Sequence, residues 1–241
     1  MINVLHLYYD LLNLYGENAN TRAIKRNLEL NKIRVNVDLK SIDDKIDFEK
    51  YDIIYIGSGC EENIYIALKD IMKRKDDLKK FIESDKTLIL TGNAMDLFGT
   101  YIEENDKKTT SLGLFKYTTK FINESTFKNA SSDRIVGEVN GTSKLIKEKI
   151  IGFQNRCDLN YGIKTPMFKV DTKFSNDTES KNEGFTYKNV YATHIIGPIL
   201  IRNPYLLDYI LEKSCEKKKL EYKSLDDLAI KAYKKYLENF N

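Results

Sequence analysis

Short apolar runs alternate with longer amphipathic segments through the first hundred or so residues. Four runs have the length and composition of buried strands: Ile2–Leu7, Val35–Leu39, Asp52–Ile56 and Thr87–Leu90. Between the first two, the apolar residues of Thr21–Leu30 recur at helical spacing. Strands that alternate with helices in this way predict β-α-β units around a buried, mainly parallel sheet.

Three other segments are patterned as helices. Asn63–Ser84 follows the third strand, Ala94–Phe98 follows the fourth, and Leu220–Phe240 lies near the end of the chain. The first two continue the alternation of strand and helix, and the third predicts a closing helix.

Beyond about residue 100 the pattern changes to strand-like pieces separated by polar turns. Leu114–Phe121, Arg134–Val139, Ile150–Gln154 and Phe185–His194 are predicted to form antiparallel or mixed hairpins. Thr172–Glu183 is so polar that we predict a mobile loop there. Because no break in composition separates the two halves, we expect one flavodoxin-like α/β domain over residues 1–241, with a mainly parallel central sheet, flanking helices and a β-rich C-terminal half.

Charge and hydropathy exclude several classes of protein. The 39 basic and 36 acidic side chains leave a net charge of only +3, and the densest basic runs, Lys73–Lys80 and Cys215–Lys219, have the pattern of solvated helix faces. Nucleic acid is therefore not an expected partner. The N-terminal apolar run is too short for a signal peptide, and no apolar stretch of about eighteen residues follows, so we expect a cytoplasmic chain without a membrane span.

Metal and disulfide chemistry have little support in the sequence. Cys60, Cys157 and Cys215 lie far apart with no CxxC pair, and the chain has two histidines, His6 and His194. A zinc knuckle, a His-based metal site and a secreted disulfide framework are therefore not expected, and we expect no metal and no cofactor. His6 lies inside the first apolar strand, where a core role is favoured, whereas a role for His194 in a cleft stays open.

Two strand ends are candidates for a site, because ligands of open α/β sheets bind outside the carboxyl ends of the strands. After the third strand, Gly57-Ser58-Gly59 can bring backbone N–H groups close to a ligand, although an ordinary turn is favoured when this segment is taken alone. After the fourth, Thr91-Gly92-Asn93 lies between a strand and a helix, the setting in which an elbow exposes a nucleophile. Gly92 at its tip has no side chain, so tight packing is an equal alternative.

Four sequence blocks occur in an order that points to one family. Leu7–Asn20 reads LYYDLLNLYGENAN, Gly57-Ser58-Gly59 follows a strand, Gly152–Asn155 reads GFQN, and Gly197–Pro204 reads GPILIRNP. They resemble the LYPDLLNLYGDRGN opening, the glycine-rich oxyanion loop, the GFEN block and the HGPLLxxNP block of class I glutamine amidotransferases of the cobyric acid synthase type, especially the amidotransferase subunits of lipid II isoglutaminyl synthases. The blocks span residues 2 to about 204. The resemblance implies a class I glutamine amidotransferase fold.

Two departures fall on the residues that the family's chemistry requires. The family elbow reads approximately LAICGGYQLLG, and an ungapped alignment ending on Gly99 puts Gly92 where the nucleophilic cysteine belongs. The family histidine before Gly-Pro corresponds to Ile196, with His194 two residues earlier as a possible substitute. Two residues along a strand displace a side chain by about 6–7 Å, which is too far for the same hydrogen bond. The resemblance assigns ligand-binding positions to Gly57, Ser58, Gly59, Asn93 and Asn155.

The resemblance implies two alternative functions. In the first, the chain does not hydrolyse glutamine and acts as a binding or regulatory partner of a Mur ligase-like ATP-dependent synthetase, holding glutamine or a related small molecule. In the second, it is an active glutaminase that supplies ammonia for amidation of a peptidoglycan precursor or a corrinoid through a non-standard group, with Cys60 and Cys157 as candidates. The first is favoured, because losing a nucleophile or its base costs roughly a millionfold in turnover. No GxxxxGK[ST] motif is present, so ATP-dependent activation would belong to another chain.

Overall fold

The computed structural model describes residues 1–122 and 134–240 of the chain. In chain order its strands are β1 (Ile2–Leu7), β2 (Val35–Lys40), β3 (Ile53–Ile56), β4 (Thr87–Thr91), β5 (Tyr101–Glu104), β6 (Lys107–Thr110), β7 (Thr118–Phe121), β8 (Ile135–Ser143), β9 (Ile150–Arg156), β10 (Asp158–Tyr161), β11 (Phe168–Val170), β12 (Asn182–Glu183), β13 (Phe185–Tyr187) and β14 (Val190–Thr193). Its helices are α1 (Asn18–Leu30), α2 (Glu61–Ile71), α3 (Lys75–Glu83), α4 (Ile199–Arg202), α5 (Pro204–Lys217) and α6 (Asp227–Leu237).

The central sheet has the strand order β2-β1-β3-β4-β14-β13. All its neighbouring strands run parallel except β13, which pairs with β14 in the antiparallel direction. The order of the parallel strands is that of flavodoxin-like folds. Every residue of β3 and β4 is buried, as expected for strands that are covered by helices on both faces. The predicted α/β fold with a mainly parallel sheet is confirmed.

Alternate residues of the sheet pack on opposite layers. Ile54 of β3 belongs to an apolar cluster with Leu68 of α2 and Phe81 of α3. Its neighbour Ile53 belongs to a second cluster with Leu207 of α5 on the other face. Fully burying a side chain of this size contributes about 1.5–3 kcal/mol, so the two layers hold the sheet and its carboxyl edge in place.

The β-rich half forms two further sheets, as the sequence pattern predicts. Their strand orders are β10-β7-β5-β6 and β12-β11-β8-β9. Phe153 of β9 forms an isolated antiparallel bridge with Ile196, which follows the central strand β14. This bridge joins the β-rich half to the carboxyl edge of the central sheet.

Several helices differ from the sequence-based expectation. The single helix predicted over Asn63–Ser84 is wrong: α2 ends at Ile71, a 3-10 turn follows over Met72–Arg74, and α3 begins at Lys75. Arg74 has non-helical backbone angles, φ −115 and ψ 10, and its Nη2 donates to the carbonyl of Asp44 at 2.8 Å, so a tertiary contact holds the break. The predicted closing helix is shorter than Leu220–Phe240, and α5 was not predicted.

The predicted hairpins also need correction. Phe185–His194 is not one strand, because Lys188 adopts φ +52 and turns β13 back into β14, which ends before His194. Leu114–Phe121 is a strand only over β7. The hairpin β5–β6 was missed although Asn105 and Asp106, both at positive φ, are the residue types that favour its turn.

The mobile loop predicted over Thr172–Glu183 is wrong. Ser175 and Asn176 are 0% and 1% exposed. Asn176 exchanges hydrogen bonds with the backbone of Gly184, and Arg156 donates to the carbonyl of Ser175. These polar side chains are therefore structural groups of the β-rich half.

Within the part of the chain that the structure describes, no helix is both long enough and apolar enough to cross a bilayer.

Candidate functional site

The junction after β4 has the backbone of an elbow. β4 ends at Thr91, and Gly92 opens a 3-10 helix over Gly92–Leu97 with φ +59. A non-glycine residue at such an angle is strained, and elbows use that strain to expose a nucleophile. Gly92 adopts the angle without strain and exposes no reactive atom.

Ser58 occupies the space that a side chain at Gly92 would need. A Cβ atom built on Gly92 would lie 2.4 Å from Ser58 Oγ, 2.5 Å from Ser58 Cβ and 3.3 Å from Ile196 Cγ2. Contacts this short are well inside van der Waals separation, so a cysteine fits only if Ser58 moves. The elbow therefore lacks both the thiol and the room for it.

Asn93 closes the glycine-rich loop from the other side. The backbone N–H of Gly59 donates to Asn93 Oδ1 at 3.0 Å, and Asn93 Nδ2 donates back to the carbonyl of Gly59 at 2.8 Å. Ser58 Oγ donates to the same Asn93 oxygen at 3.2 Å. An N–H group that an oxyanion loop would offer to a substrate is thus already bonded to a side chain of the protein.

Ile196 and His194 turn to different parts of the site. The backbone of Ile196 pairs with Phe153, while its side chain is the one that faces Gly92. His194 follows the end of β14, so the strand spacing expected for it does not apply, and its Nε2 lies 2.5 Å from Asn160 Oδ1 and 3.5 Å from Asp158 Oδ1. No proton donor stands at the Ile196 position.

A cavity of about 110 Å³ lies in front of the elbow. The structure brings seven of the eight site residues selected from the sequence to its wall: Ser58, Gly59, Gly92, Asn93, Asn155, His194 and Ile196. The two cysteines Cys60 and Cys157 also line it. Gly57 lies behind the loop, where an added Cβ would approach Leu12 O at 2.4 Å.

One wall of the cavity is polar and hydrogen-bonded. Glu61 Oε1 accepts from Arg134 Nη1 at 2.8 Å and from Cys157 Sγ at 3.0 Å, and Arg134 Nε donates to Asn155 Oδ1 at 2.8 Å. Burial, together with the charges of Asp158 and Glu61, raises the pKa of the Cys157 thiol. Cys157 is therefore a neutral hydrogen-bond donor, since nucleophilic attack needs the thiolate.

A buried polar network lies behind the cavity. Asp96 Oδ1 accepts from Thr119 Oγ1 at 2.9 Å and from Asn160 Nδ2 at 3.1 Å, so the carbonyl oxygen of the Asn160 amide faces His194. Because that oxygen can only accept, Nε2 of His194 carries the proton. Burial and the nearby Arg156 guanidinium lower the pKa of His194 well below its usual value, so the ring is neutral.

Carboxyl groups of this network are pushed toward their protonated forms. Burial raises the pKa of Asp158 to about 6 and that of Glu183 to about 7. Burial and the charge of Asp158 raise the pKa of Asp96 well above its usual value. Glu183 is held by Thr193 Oγ1 at 2.7 Å and by the backbone N–H of His194 at 2.7 Å.

A second buried carboxylate, Glu17, lies beneath the elbow. Tyr55 Oη donates to Glu17 Oε2 at 2.6 Å, and Thr91 Oγ1 donates to the same oxygen. Burial raises the pKa of Glu17 to about 7, against hydrogen bonds from Thr91, Tyr55 and the backbone of Gly197 that lower it. The opening sequence block, β3, the elbow and the Gly197 loop are thus joined at one carboxyl group.

Comparison with known proteins identifies the family to which the chain belongs. The model of the CobB/CobQ-like glutamine amidotransferase domain matches residues 3–204. The chain belongs to that family. The resemblance stated from the sequence is confirmed, and so is the class I glutamine amidotransferase fold.

Two relatives are GatD subunits of glutamine-hydrolysing lipid II isoglutaminyl synthases. The Staphylococcus aureus protein is 30% identical over 231 residues, which cover 95% of this chain and 91% of the relative. The Streptococcus pneumoniae protein is 29% identical over 220 residues, covering 90% of this chain and 82% of the relative. This member of the family is therefore GatD-like over most of its length.

Solved structures show the same fold at low sequence identity. PurLQS from Thermotoga maritima superimposes with a TM-score of 0.57 at 14% identity, covering 90% of this chain and 99% of that chain. A further glutamine amidotransferase superimposes with a TM-score of 0.53 at 13% identity, covering 87% and 98%.

Sequence reasoning missed the residues that surround the elbow in space. The space-filling position of Ser58 gives no signal along the chain, since its neighbour Gly92 is 34 positions away in the numbering. Asp96 had a visible signal, because it stands where the approximate family elbow has glutamine. Glu17 lies within the recognised opening block, although nothing in that block indicates its burial.

Proposed function

We propose that this GatD-like chain does not hydrolyse glutamine and acts as a binding or regulatory partner of a Mur ligase-like ATP-dependent synthetase. The observation that carries the proposal is the filled elbow, in which Gly92 has no thiol and Ser58 stands where one would lie. Ile196 adds to it, because an aliphatic side chain can neither activate a nucleophile nor protonate leaving ammonia.

Similarity to the GatD subunits supports the proposed partner and pathway. Their names place them in synthases that act on lipid II, and this chain covers at least 82% of each of those relatives. A peptidoglycan precursor is therefore favoured over a corrinoid as the molecule that the partner amidates.

The cavity supports the binding of glutamine or a related small molecule. Arg134, Glu61 and Asn155 form a wall with charges of both signs, which suits the ammonium and carboxylate groups of an amino acid. A ligand that is bound and not cleaved would report on nitrogen supply without consuming it.

The first test is a glutaminase assay of the purified chain, alone and with its co-expressed synthetase. We expect ammonia release at background, because water is the only nucleophile left and the N–H of Gly59 in the loop is already bonded to Asn93. Turnover by the wild-type chain would overturn the proposal. Its loss in Cys60→Ser or Cys157→Ser would then identify the non-standard nucleophile of the alternative function.

The second test rebuilds the active elbow. We expect Gly92→Cys with Ile196→His to remain inactive, because the new side chain meets Ser58, and we expect measurable turnover only when Ser58→Gly is added. The matched control is Ser58→Gly with Ile196→His, which has the same space and base but no thiol. Equal activity in the double and triple variants would show that Ser58 does not block the elbow.

A third experiment concerns the partner. Co-expression with a Mur ligase-like synthetase from the same host should yield a complex that co-elutes in size-exclusion chromatography. Separate elution of the two proteins at micromolar concentration would contradict the partnership while leaving the glutaminase result unaffected.

A further inference from the structure

Three side chains from distant parts of the sequence meet behind the cavity. Asp96 comes from the 3-10 helix after β4, Asp158 from β10, and His194 from the segment after β14. One potential ligand atom from each lies within 4.8 Å of the others, and the residues are 2%, 2% and 1% exposed. The separation fits ligand atoms that share one metal ion, whose bonds to oxygen or nitrogen are about 2.0–2.2 Å long.

Two atoms of this trio have no hydrogen-bond partner in the described residues. They are Asp158 Oδ1 and His194 Nδ1, and both are buried. His194 Nε2, which donates to Asn160, is the ring nitrogen that lies 3.5 Å from Asp158 Oδ1, and a metal ion bound there would replace its proton. A buried acceptor without a partner is unfavourable, so Asp158 Oδ1 is a position where a cation would take the place of a missing hydrogen-bond donor.

The charges of the buried network also favour a bound cation. Within the described part of the network, three carboxyl groups, Asp96, Asp158 and Glu183, surround one guanidinium, Arg156. Arg156 Nη1 lies 4.0 Å from Asp158 Oδ1, beyond hydrogen-bond distance, so the guanidinium does not satisfy that oxygen. Arg156 balances one of these carboxyl groups when it is ionised, and a divalent cation bound by the trio would favour the ionised forms of the others.

The trio is accessible from the cavity. Asp158 and His194 both line its wall, beside Gly92 and Asn93. An ion could therefore enter through the same cleft that faces the elbow, without opening the core.

We propose that Asp96, Asp158 and His194 form a binding site for one divalent transition-metal ion, Zn²⁺ or Mn²⁺. One imidazole nitrogen and two carboxylates suit these ions, whereas an all-oxygen set would favour Mg²⁺ or Ca²⁺ and a thiolate set would favour Cu(I). Protein ligands fill three positions, which leaves room for water or a ligand from the cavity. The scarcity of histidines argues against a His-rich site but not against this one, which needs a single imidazole. The site does not depend on whether the elbow hydrolyses glutamine.

The main test is metal titration of the full-length chain after treatment with EDTA and dialysis. Isothermal titration with Zn²⁺ and with Mn²⁺ should give one ion per chain for at least one of the metals. Asp158→Asn and His194→Gln should each weaken binding at least about tenfold, while Asp106→Asn, on an exposed turn, should not change it. Circular dichroism of every variant separates lost binding from lost folding.

A second measurement needs no variant in the site. The chain has two histidines, so ring ¹⁵N resonances of labelled protein should show a shift for His194 on adding Zn²⁺ and none for His6. The variant His6→Gln assigns the two signals. No binding of either metal, or binding that leaves both histidine signals unchanged, would overturn the proposal and leave a buried water molecule as the group that bridges Asp158 and Arg156.

Discussion

Gly92 and Ser58 share a space that accepts one side chain but not two. The family places a cysteine on the elbow, and here the opposing loop contributes the side chain instead. The absence of a side chain at Gly92 and the position of Ser58 are therefore linked in space. A cysteine at position 92 would clash with Ser58 if Ser58 were kept. Removal of the Ser58 side chain alone would leave a cavity beside Gly92.

The cost of that clash can be measured. Gly92→Cys should destabilise the fold by roughly 2–5 kcal/mol, because a side chain at positive φ costs about 1–2 kcal/mol and overpacking adds about 1–3 kcal/mol. Adding Ser58→Gly should recover the overpacking part. Urea unfolding followed by circular dichroism gives both values, with Ser58→Gly alone as the control. A Gly92→Cys variant as stable as the wild type would mean that Ser58 moves aside freely.

Glu17 makes stability depend on pH. Its pKa is raised to about 7 in the folded chain from 4.5, so the folded state holds the proton more tightly than the unfolded state. Stability from this group is present below pH 4.5 and is lost as pH rises to about 7, by on the order of 3 kcal/mol. Glu17→Gln should flatten that part of the decline in urea midpoints between about pH 4.5 and 7. The exposed Glu62→Gln should leave the slope unchanged, and an equal slope in wild type and Glu17→Gln would refute the assignment.

At the scale of elements, buried strands were the easiest to predict. β1, β3 and β4 are apolar on both faces, and their ends are marked by polar or glycine residues. The break between α2 and α3 could not be predicted in the same way, because the contact from Arg74 to the carbonyl of Asp44 that holds it is not a feature of the hydrophobic pattern. The order of the strands in the β-rich half depends on long-range pairing and carries no local signal.

The candidate site also combines features that the sequence shows with features that appear only in the folded chain. The glycine at the elbow and the isoleucine before Gly197 were visible as departures from a family pattern. The occupied space around them was not, because Ser58 meets Gly92 only after folding. A sequence can therefore show that a reactive group is missing but not what has taken its place.

Asn203 joins two elements at the carboxyl edge of the sheet. Its Oδ1 accepts from the backbone N–H of Ile151 at 2.9 Å, and its Nδ2 donates to the carbonyls of Ile151 and Ile199 at 2.7 and 2.9 Å. The side chain therefore holds β9 against α4, on the way to the Phe153–Ile196 bridge.

Asn203→Asp should destabilise the fold by roughly 2–5 kcal/mol. The change removes two donors and turns a buried carboxylate oxygen toward two carbonyls. Chemical unfolding measures the loss, and Asn105→Asp on an exposed turn is a matched control that should stay within about 0.5 kcal/mol of wild type. A similar effect for both variants would show that the Asn203 bonds contribute nothing specific.

At the scale of the whole molecule, the centre of the sheet depends on the end of the sequence. β14 pairs with β4, and β13 closes the sheet beyond it. A chain that ends at residue 189 should therefore be insoluble or unfolded, whereas a chain that ends at residue 224 keeps every strand of the sheet and should fold. Solubility and circular dichroism distinguish the two. A folded, soluble 189-residue fragment would show that β14 is dispensable.

The late arrival of β14 also affects synthesis on the ribosome. Thr91 of β4 and Val190 of β14 are separated by roughly a hundred residues, which take about 5 to 20 seconds to translate. During that interval β4 has a bare edge of unpaired backbone groups, and such edges recruit strands from other chains. The nascent protein thus has a period of exposure to aggregation that the finished fold does not show, and slow translation or crowding of ribosomes on one message would lengthen it.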